Sequence, residues 1–112
     1  MNAVFHLSSG DVSDWRHALA NVRNLLDDDT AETDDVVLLA NGDAVHLFVE
    51  GSPLSRAVRS LDGDVRCLGC RNSLSGRDIP HSKLLSNVDT VPAGVGELTR
   101  LQHDGYAYLK VP

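Results

Sequence analysis

Basic residues are few in this chain of 112 residues, which has ten Lys and Arg but sixteen Asp and Glu. The net charge is −6 and the pI is near 5.1. Proteins that bind nucleic acid carry clustered Lys and Arg, so this balance argues against a nucleic-acid partner. No apolar run approaches the roughly 18 residues of a membrane span, and residues 1–7 lack the basic and long apolar regions of a signal peptide. We therefore expect a cytoplasmic protein without nucleic-acid or membrane partners.

Lysine is the scarcer basic residue, since only Lys83 and Lys110 are present and the other eight are Arg. Thirteen of the sixteen acidic residues are Asp. An Asp-rich, Lys-poor surface binds water and cations well and is common in salt-adapted proteins. We hypothesise a halophilic source. Unfolding at low salt would support this hypothesis, and full stability without salt would contradict it.

Cysteine is also rare, with only Cys67 and Cys70 present. Two cysteines exclude a disulfide framework and favour thiol chemistry in a reducing compartment. The apolar fraction of 42% is ordinary for a globular protein. A chain of this length buries roughly two-thirds of its unfolded surface, so it can form a core without cross-links. We expect one domain over residues 1–112.

Apolar runs typical of strands alternate with segments of helical periodicity. This alternation predicts an α/β fold, in which a mostly parallel, five-stranded sheet carries helices on both faces. Asp11 or Ser13 can cap the first helix, and Ser52 and Pro53 can be the N-cap and first residue of a later one. The predicted strands are Ala3–Leu7, Val36–Ala40, Val65–Gly69, Asp89–Val91 and Tyr106–Leu109. The predicted helical segments cover residues 12–26, 44–49, 53–61, 81–85 and 95–104, with a turn into a short helix at 70–74.

Polar or glycine-bearing segments follow four of these strands. Ligand chemistry in parallel sheets occurs at the carboxyl ends of the strands, so the side chains there are candidates for hydrogen bonding to a bound anion. The segment Gly94–Gly96 opens a helix and can hold an anion through backbone N–H groups, although it is not a nucleotide-binding motif. His6, in the first strand, is either a packed core histidine or a base. The strand-end candidates are Ser8, Ser9, Asn41, Arg71 and Asn72.

The motif Cys67-Leu68-Gly69-Cys70 is a CxxC, for which three interpretations compete. A redox dithiol requires the motif to open a helix. If the strand instead runs straight through Cys70, the two cysteines lie about 10 Å apart on opposite faces, beyond the roughly 7 Å Cα limit of a disulfide. A structural zinc site requires four ligands, and the sequence has no second CxxC and no HxxxH to complete the set. We therefore predict no metal.

The third interpretation separates the roles of the two cysteines. Cys67, inside an apolar strand, packs in the core. Cys70, at the strand end before a helix, is a reactive thiol in this interpretation. The N–H groups of the helix N-terminus lower its pKa, and the charges of Arg71 and Arg77 can lower it further. Spacing alone leaves open that Cys70 also only packs.

Several short segments, in chain order, resemble the DsrE/DsrF-like family of sulfur-relay proteins, in its small single-subunit archaeal and bacterial branch. They span nearly the whole chain: Val4–Ser9, Leu39–Gly42, Cys70–Leu74, Val91–Leu98 and Gly105–Tyr108. The resemblance implies a three-layer α/β/α subunit that forms homotrimers or homohexamers and works in the cytoplasm with sulfur donor and acceptor proteins. It implies no cofactor.

Carried over by position, the family's sulfur-accepting cysteine corresponds to Cys70. We therefore predict a sulfur carrier, possible sulfurtransferase, that takes up sulfane sulfur as a persulfide and passes it to an acceptor thiol. Cys67 is a possible supporting residue only. The alternatives that stay open are a CxxC dithiol oxidoreductase and a non-catalytic oligomeric binding module.

Overall fold

A computed structural model describes all 112 residues of the chain. Five strands form one sheet in the order β4-β3-β2-β1-β5, and every neighbouring pair is parallel. The strands are β1 (Ala3–Leu7), β2 (Val36–Ala40), β3 (Arg66–Cys70), β4 (Val88–Val91) and β5 (Ala107–Lys110). The helices are α1 (Val12–Leu26), α2 (Ser55–Arg59), α3 (Arg71–Gly76) and α4 (Gly94–His103), and two 3-10 helices cover Gly42–Phe48 and His81–Lys83.

Two apolar clusters of unequal size lie on the two faces of the sheet. The larger has 22 buried residues and contains the apolar side of α1, including Trp15 and Val22. The smaller has seven, and α4 alone of the helices contributes to it, through Leu98 and Leu101. All five residues of β2 are buried, as expected for the central strand of a sheet covered on both faces. The predicted three-layer α/β/α fold is confirmed.

Side-chain capping explains where α1 begins. Asp11 is its N-cap, as the sequence predicts, and its carboxylate accepts a hydrogen bond of 2.8 Å from the Ser13 backbone N–H. The predicted cap at Ser52 is wrong, because α2 begins at Ser55. Ser52 instead closes a turn, in which its carbonyl accepts the Ser55 N–H. Pro53 therefore lies in the turn and not in the helix.

The boundaries of three strands differ from the predicted ones by one residue, at both ends of β3 and β5 and at the start of β4. β4 begins one residue earlier, at Val88, and β5 covers Ala107–Lys110 and not Tyr106–Leu109. The difference at β3 matters most, since this strand continues to Cys70, which pairs with Val91 of β4. No helix of the structure is long and apolar enough to cross a bilayer.

Candidate functional site

The two cysteines lie on opposite faces of the sheet. Both belong to β3, where successive side chains alternate between faces. Cys67 is part of the large cluster beneath α1, whereas Cys70 shares the α4 face with Leu68. Three residues of strand separate their Cα atoms by about 10 Å, and both thiols are free. A Cys67–Cys70 disulfide therefore needs β3 to be rebuilt, which argues against the dithiol interpretation.

Cys67 is in an environment that disfavours its thiolate. The residue is 1% exposed. Burial raises the pKa of the Cys67 thiol to about 12, with further increases from the carboxylates of Asp62 and Asp89. A thiol with this pKa is almost fully protonated at neutral pH, so Cys67 behaves as a small apolar core residue.

Cys70 is in the opposite situation, although it too is buried. Burial raises the pKa of its thiol, but this increase is outweighed by nearby donors, the Ser73 hydroxyl and the backbone N–H groups of Gly94, Ser73 and Asn72, so that the pKa is lowered overall. Cys70 is the N-cap residue of α3, and its thiol makes no side-chain cap hydrogen bond. The nearby donors favour the anionic form of the sulfur.

Ser73 connects the sulfur to the end of the neighbouring strand. The Ser73 hydroxyl oxygen accepts a hydrogen bond of 2.8 Å from the Gly42 backbone N–H. Its own hydrogen remains available to Cys70. Gly42, with φ of 58°, forms the turn after β2. The carboxyl ends of β2 and β3 are thus joined through the side chain that faces the thiol.

Gly94 allows α4 to approach the thiol closely. A Cβ atom at Gly94 would lie 3.2 Å from Leu39 Cδ2, 3.3 Å from Asn41 Cβ and 3.5 Å from Cys70 Cβ. Glycine leaves this space empty, and the backbone N–H of Gly94 is one of the groups that lower the pKa of Cys70. The expected anion-holding segment at Gly94–Gly96 thus contributes one N–H, and the group that this N–H favours is the Cys70 thiolate.

A hydrogen-bonded chain lies beside the thiol on the same face. His6 Nε2 and Asn41 Oδ1 are 2.8 Å apart, and His6 Nδ1 and the Tyr108 hydroxyl are 2.6 Å apart. Burial lowers the pKa of His6. The hydrogen bond to Asn41 raises this pKa by a smaller amount, and the positive charge of Lys110 lowers it. The imidazole is therefore neutral at pH 7, with Nε2–H donating to Asn41 and Nδ1 accepting from Tyr108.

Only some of the predicted supporting residues act at Cys70. Asn72 contributes its backbone N–H to the sulfur while its side chain is exposed, and Arg71 is exposed without an ion-pair partner. The Ser9 hydroxyl donates to Asp14 at 2.6 Å and so belongs to the start of α1.

Two further candidates also act elsewhere. Ser8 makes no side-chain hydrogen bond; its carbonyl lies against the turn at Gly42. The expected help from Arg77 is absent, because Arg77 pairs with Asp43 at 2.9 Å.

Two groups at the site carried no assigned role in the sequence. Ser73 follows Cys70 by three positions, the spacing at which a side chain in the first helical turn reaches back to the cap; this was the available signal. Tyr108 joins His6 across 102 residues of chain, and no local pattern reveals such a contact. No group of three or more His, Cys, Asp or Glu side chains is placed to hold a metal ion.

A profile of the DsrE/DsrF-like family matches residues 2–111. The chain belongs to the DsrE/DsrF-like family. It is also similar to the solved structure of the protein of unknown function MTH1491 from Methanobacterium thermoautotrophicum, with 32% identity, a TM-score of 0.90 and coverage of 97% of both chains. No curated protein matches the chain. Membership of the DsrE/DsrF-like family implies a sulfur-relay-like role in general terms.

Proposed function

We propose that this DsrE/DsrF-like protein carries sulfane sulfur on Cys70 as a persulfide and passes it to an acceptor thiol. The observation that carries the proposal is the group of donors around the Cys70 sulfur. One hydroxyl and three backbone N–H groups lower the pKa of a thiol that burial alone would raise. A lowered pKa increases the thiolate fraction at neutral pH, and the thiolate is the form that attacks sulfur.

The chemistry requires two exchange steps without net oxidation. In the first, the Cys70 thiolate attacks the outer sulfur of a donor persulfide, R–S–SH. The donor S–S bond breaks, a new S–S bond forms on Cys70, and R–S⁻ leaves. In the second, an acceptor thiolate attacks the outer sulfur of Cys70–S–SH, takes it together with its hydrogen, and releases the Cys70 thiolate. The donors that stabilise the thiolate therefore also stabilise the leaving group of the second step.

The surroundings of Cys70 limit how sulfur can arrive. The residue is 5% exposed, and neither of the two surface cavities of the structure includes it. The first turn of α3 and the start of α4 supply its donors. A donor must therefore be small at its reacting end, or a partner protein must displace part of this covering when it docks. The proposed partners are sulfur donor and acceptor proteins.

Mass spectrometry tests the proposal directly. The reduced protein is incubated with a low-molecular-weight persulfide, and the intact mass is followed for the addition of one sulfur atom. We expect wild type to gain the adduct and Cys70→Ser to gain none. Peptide mapping of wild type, after the persulfide has been blocked, should place the added sulfur on the peptide that contains Cys70.

Cys67 provides a matched control in the same strand. Cys67→Ala keeps one cysteine and should load as wild type does. Loading of Cys70→Ser equal to that of wild type would refute the proposal. The absence of an adduct on folded wild type would also refute it, and would favour a non-catalytic binding module in which Cys70 only packs.

The assembly state is also a proposal. The trimer or hexamer implied by the family needs apolar surface between subunits, and the sheet edge at β5 supplies some. All four residues of β5 are exposed, among them Tyr108 at 40% and Leu109 at 39%. Light scattering on the purified protein measures the subunit number, and a monomer at micromolar concentration would contradict this proposal.

A further inference from the structure

We infer that His6 and Tyr108 act together to orient Asn41, and that the Asn41 amide group binds the outer sulfur of a Cys70 persulfide. Asn41 is then the residue that contacts the transferred sulfur, and His6 is a positioning residue that acts through it. This inference rests on the proposed function and adds a binding site for the sulfur that is transferred.

Strand register brings Asn41 beside Cys70. β2 and β3 are parallel, with Leu39 opposite Leu68 and Ala40 opposite Gly69. The next step in this register sets Asn41 opposite Cys70 on strands about 4.8 Å apart. The packing of Gly94 agrees, because the Cβ atoms of Asn41 and Cys70 both lie within 3.5 Å of the position that a Gly94 Cβ would take.

Alternation along the strands explains why His6 joins this group. Val4, Leu39 and Leu68 all pack in the small cluster on the α4 face. Residues two positions further along each strand point to the same face. Those residues are His6, Asn41 and Cys70, so three neighbouring strands each present one functional side chain at the same end of the sheet.

The hydrogen bonds determine which way the Asn41 amide is turned. Asn41 Oδ1 lies 2.8 Å from His6 Nε2, and because an amide oxygen can only accept, the proton of the neutral His6 ring is on Nε2. Nδ1 then accepts from the Tyr108 hydroxyl, 2.6 Å away, which holds the ring in this tautomer. The amide nitrogen Nδ2 is consequently the free end of Asn41. Nδ2 makes no hydrogen bond within the protein. It is also absent from the buried polar atoms that lack a partner, of which Asn87 Oδ1 is the only one.

A free N–H₂ group beside the thiol suits a persulfide better than a thiol. A persulfide adds one sulfur atom beyond Cys70 Sγ and carries negative charge on that atom when ionised. Ser73 and the backbone N–H groups surround the inner sulfur. Asn41 Nδ2 can donate to the outer one. A hydrogen bond to an ionised acceptor is roughly twice as strong as a neutral one.

Asn41→Asp is the decisive variant. It keeps the shape of the side chain and the acceptor for His6, so the hydrogen-bonded chain is retained, but it replaces the donor with a carboxylate oxygen. We expect the fraction of Cys70 present as persulfide, at a fixed donor concentration, to fall roughly tenfold or more. Alkylation of unloaded Cys70 by iodoacetamide should fall by less, because the inner-sulfur donors are unchanged.

Ser75→Asp is the control for charge. It introduces the same carboxylate on an exposed side chain of α3 that has no contact role at the thiol. We expect its loading to remain within about twofold of wild type, because an exposed charge is screened by solvent and salt. Equal losses in the two variants would show a general charge effect and would overturn the inference.

Tyr108→Phe tests the positioning without touching the thiol. The variant removes one exposed hydroxyl, so the fold is retained, and it frees the His6 proton to move to Nδ1. We expect persulfide loading to fall several-fold in Tyr108→Phe and further in Asn41→Asp, with the thermal midpoint nearly unchanged in Tyr108→Phe. Normal loading in both variants overturns the inference while leaving the proposed function intact. A wild type that takes up no sulfur refutes the proposed function first.

Discussion

Gly94 is the position where one added methyl group most directly perturbs the packing around Cys70. A Cβ atom at this position would meet atoms of three residues, at 3.2 Å, 3.3 Å and 3.5 Å. Leu39 is 0% exposed and cannot swing away. The Asn41 contact is to a Cβ atom, which moves only with its backbone. Gly94→Ala therefore forces α4 away from the sheet.

The expected cost can be worked out from this geometry. Adding a methyl group to a filled space costs about 1–3 kcal/mol, and the contacts at Gly94 are tight by a few tenths of an ångström, which favours the lower half of that range. Unfolding entropy of about 2.1 cal/mol/K per residue makes 1 kcal/mol equivalent to about 4 °C in Tm for a chain of this length. We expect Gly94→Ala to lower Tm by roughly 4–8 °C.

Gly96→Ala provides the control within the same helix. A Cβ at Gly96 meets no atom within 4 Å, so this variant should gain the usual helical advantage of alanine, about 0.5–1 kcal/mol. Both variants are measured by thermal unfolding and by the pH dependence of Cys70 alkylation. Gly94→Ala should also raise the pKa of Cys70, because the Gly94 N–H moves away from the sulfur. Equal Tm values for the two variants would refute the packing argument.

Two further predictions concern other groups of the molecule. In the folded protein, iodoacetamide should modify Cys70 and spare Cys67, whose pKa of about 12 keeps it protonated; in urea both should react alike, and equal rates in the native state would contradict the assignment. The second concerns Asp35, whose pKa is lowered by the hydrogen bond from Arg66 at 2.7 Å against the opposing effect of burial. A lowered folded pKa contributes stability above the unfolded value near 3.9, and this contribution is lost as the pH falls through the folded pKa. Urea unfolding should therefore show a smaller loss of stability between pH 5 and pH 2 in Asp35→Asn than in wild type, and parallel curves would contradict this.

Runs of apolar residues along the chain are enough to predict the strands. Val36–Ala40 is apolar at every position, and only a strand covered on both faces tolerates this; all five residues are buried. The cap at Asp11 was equally local, because an N-cap interaction spans only two or three residues. Local signals of this kind need no knowledge of the partner strands.

The end of β3 shows what a local signal cannot decide. The predicted strand stopped at Gly69, and the observed one includes Cys70 because Cys70 pairs with Val91 of the neighbouring strand. Strand side chains alternate faces, so this extension separates the two cysteines by the thickness of the sheet. Whether the two cysteines can form a disulfide therefore depends on a strand pairing with a residue more than twenty positions away in sequence.

The sequence by itself determined the alternation of strands and helices, and with it the parallel sheet and the end of the sheet where ligand chemistry is expected. It also singled out Cys70, because a cysteine at a strand end before a helix is visible locally. Only the tertiary structure decided which distant groups surround that sulfur: the Gly94 N–H, and the chain from Tyr108 through His6 to Asn41. The physical reason is distance along the chain, since these groups come from separate strands and helices that meet only when the sheet is assembled.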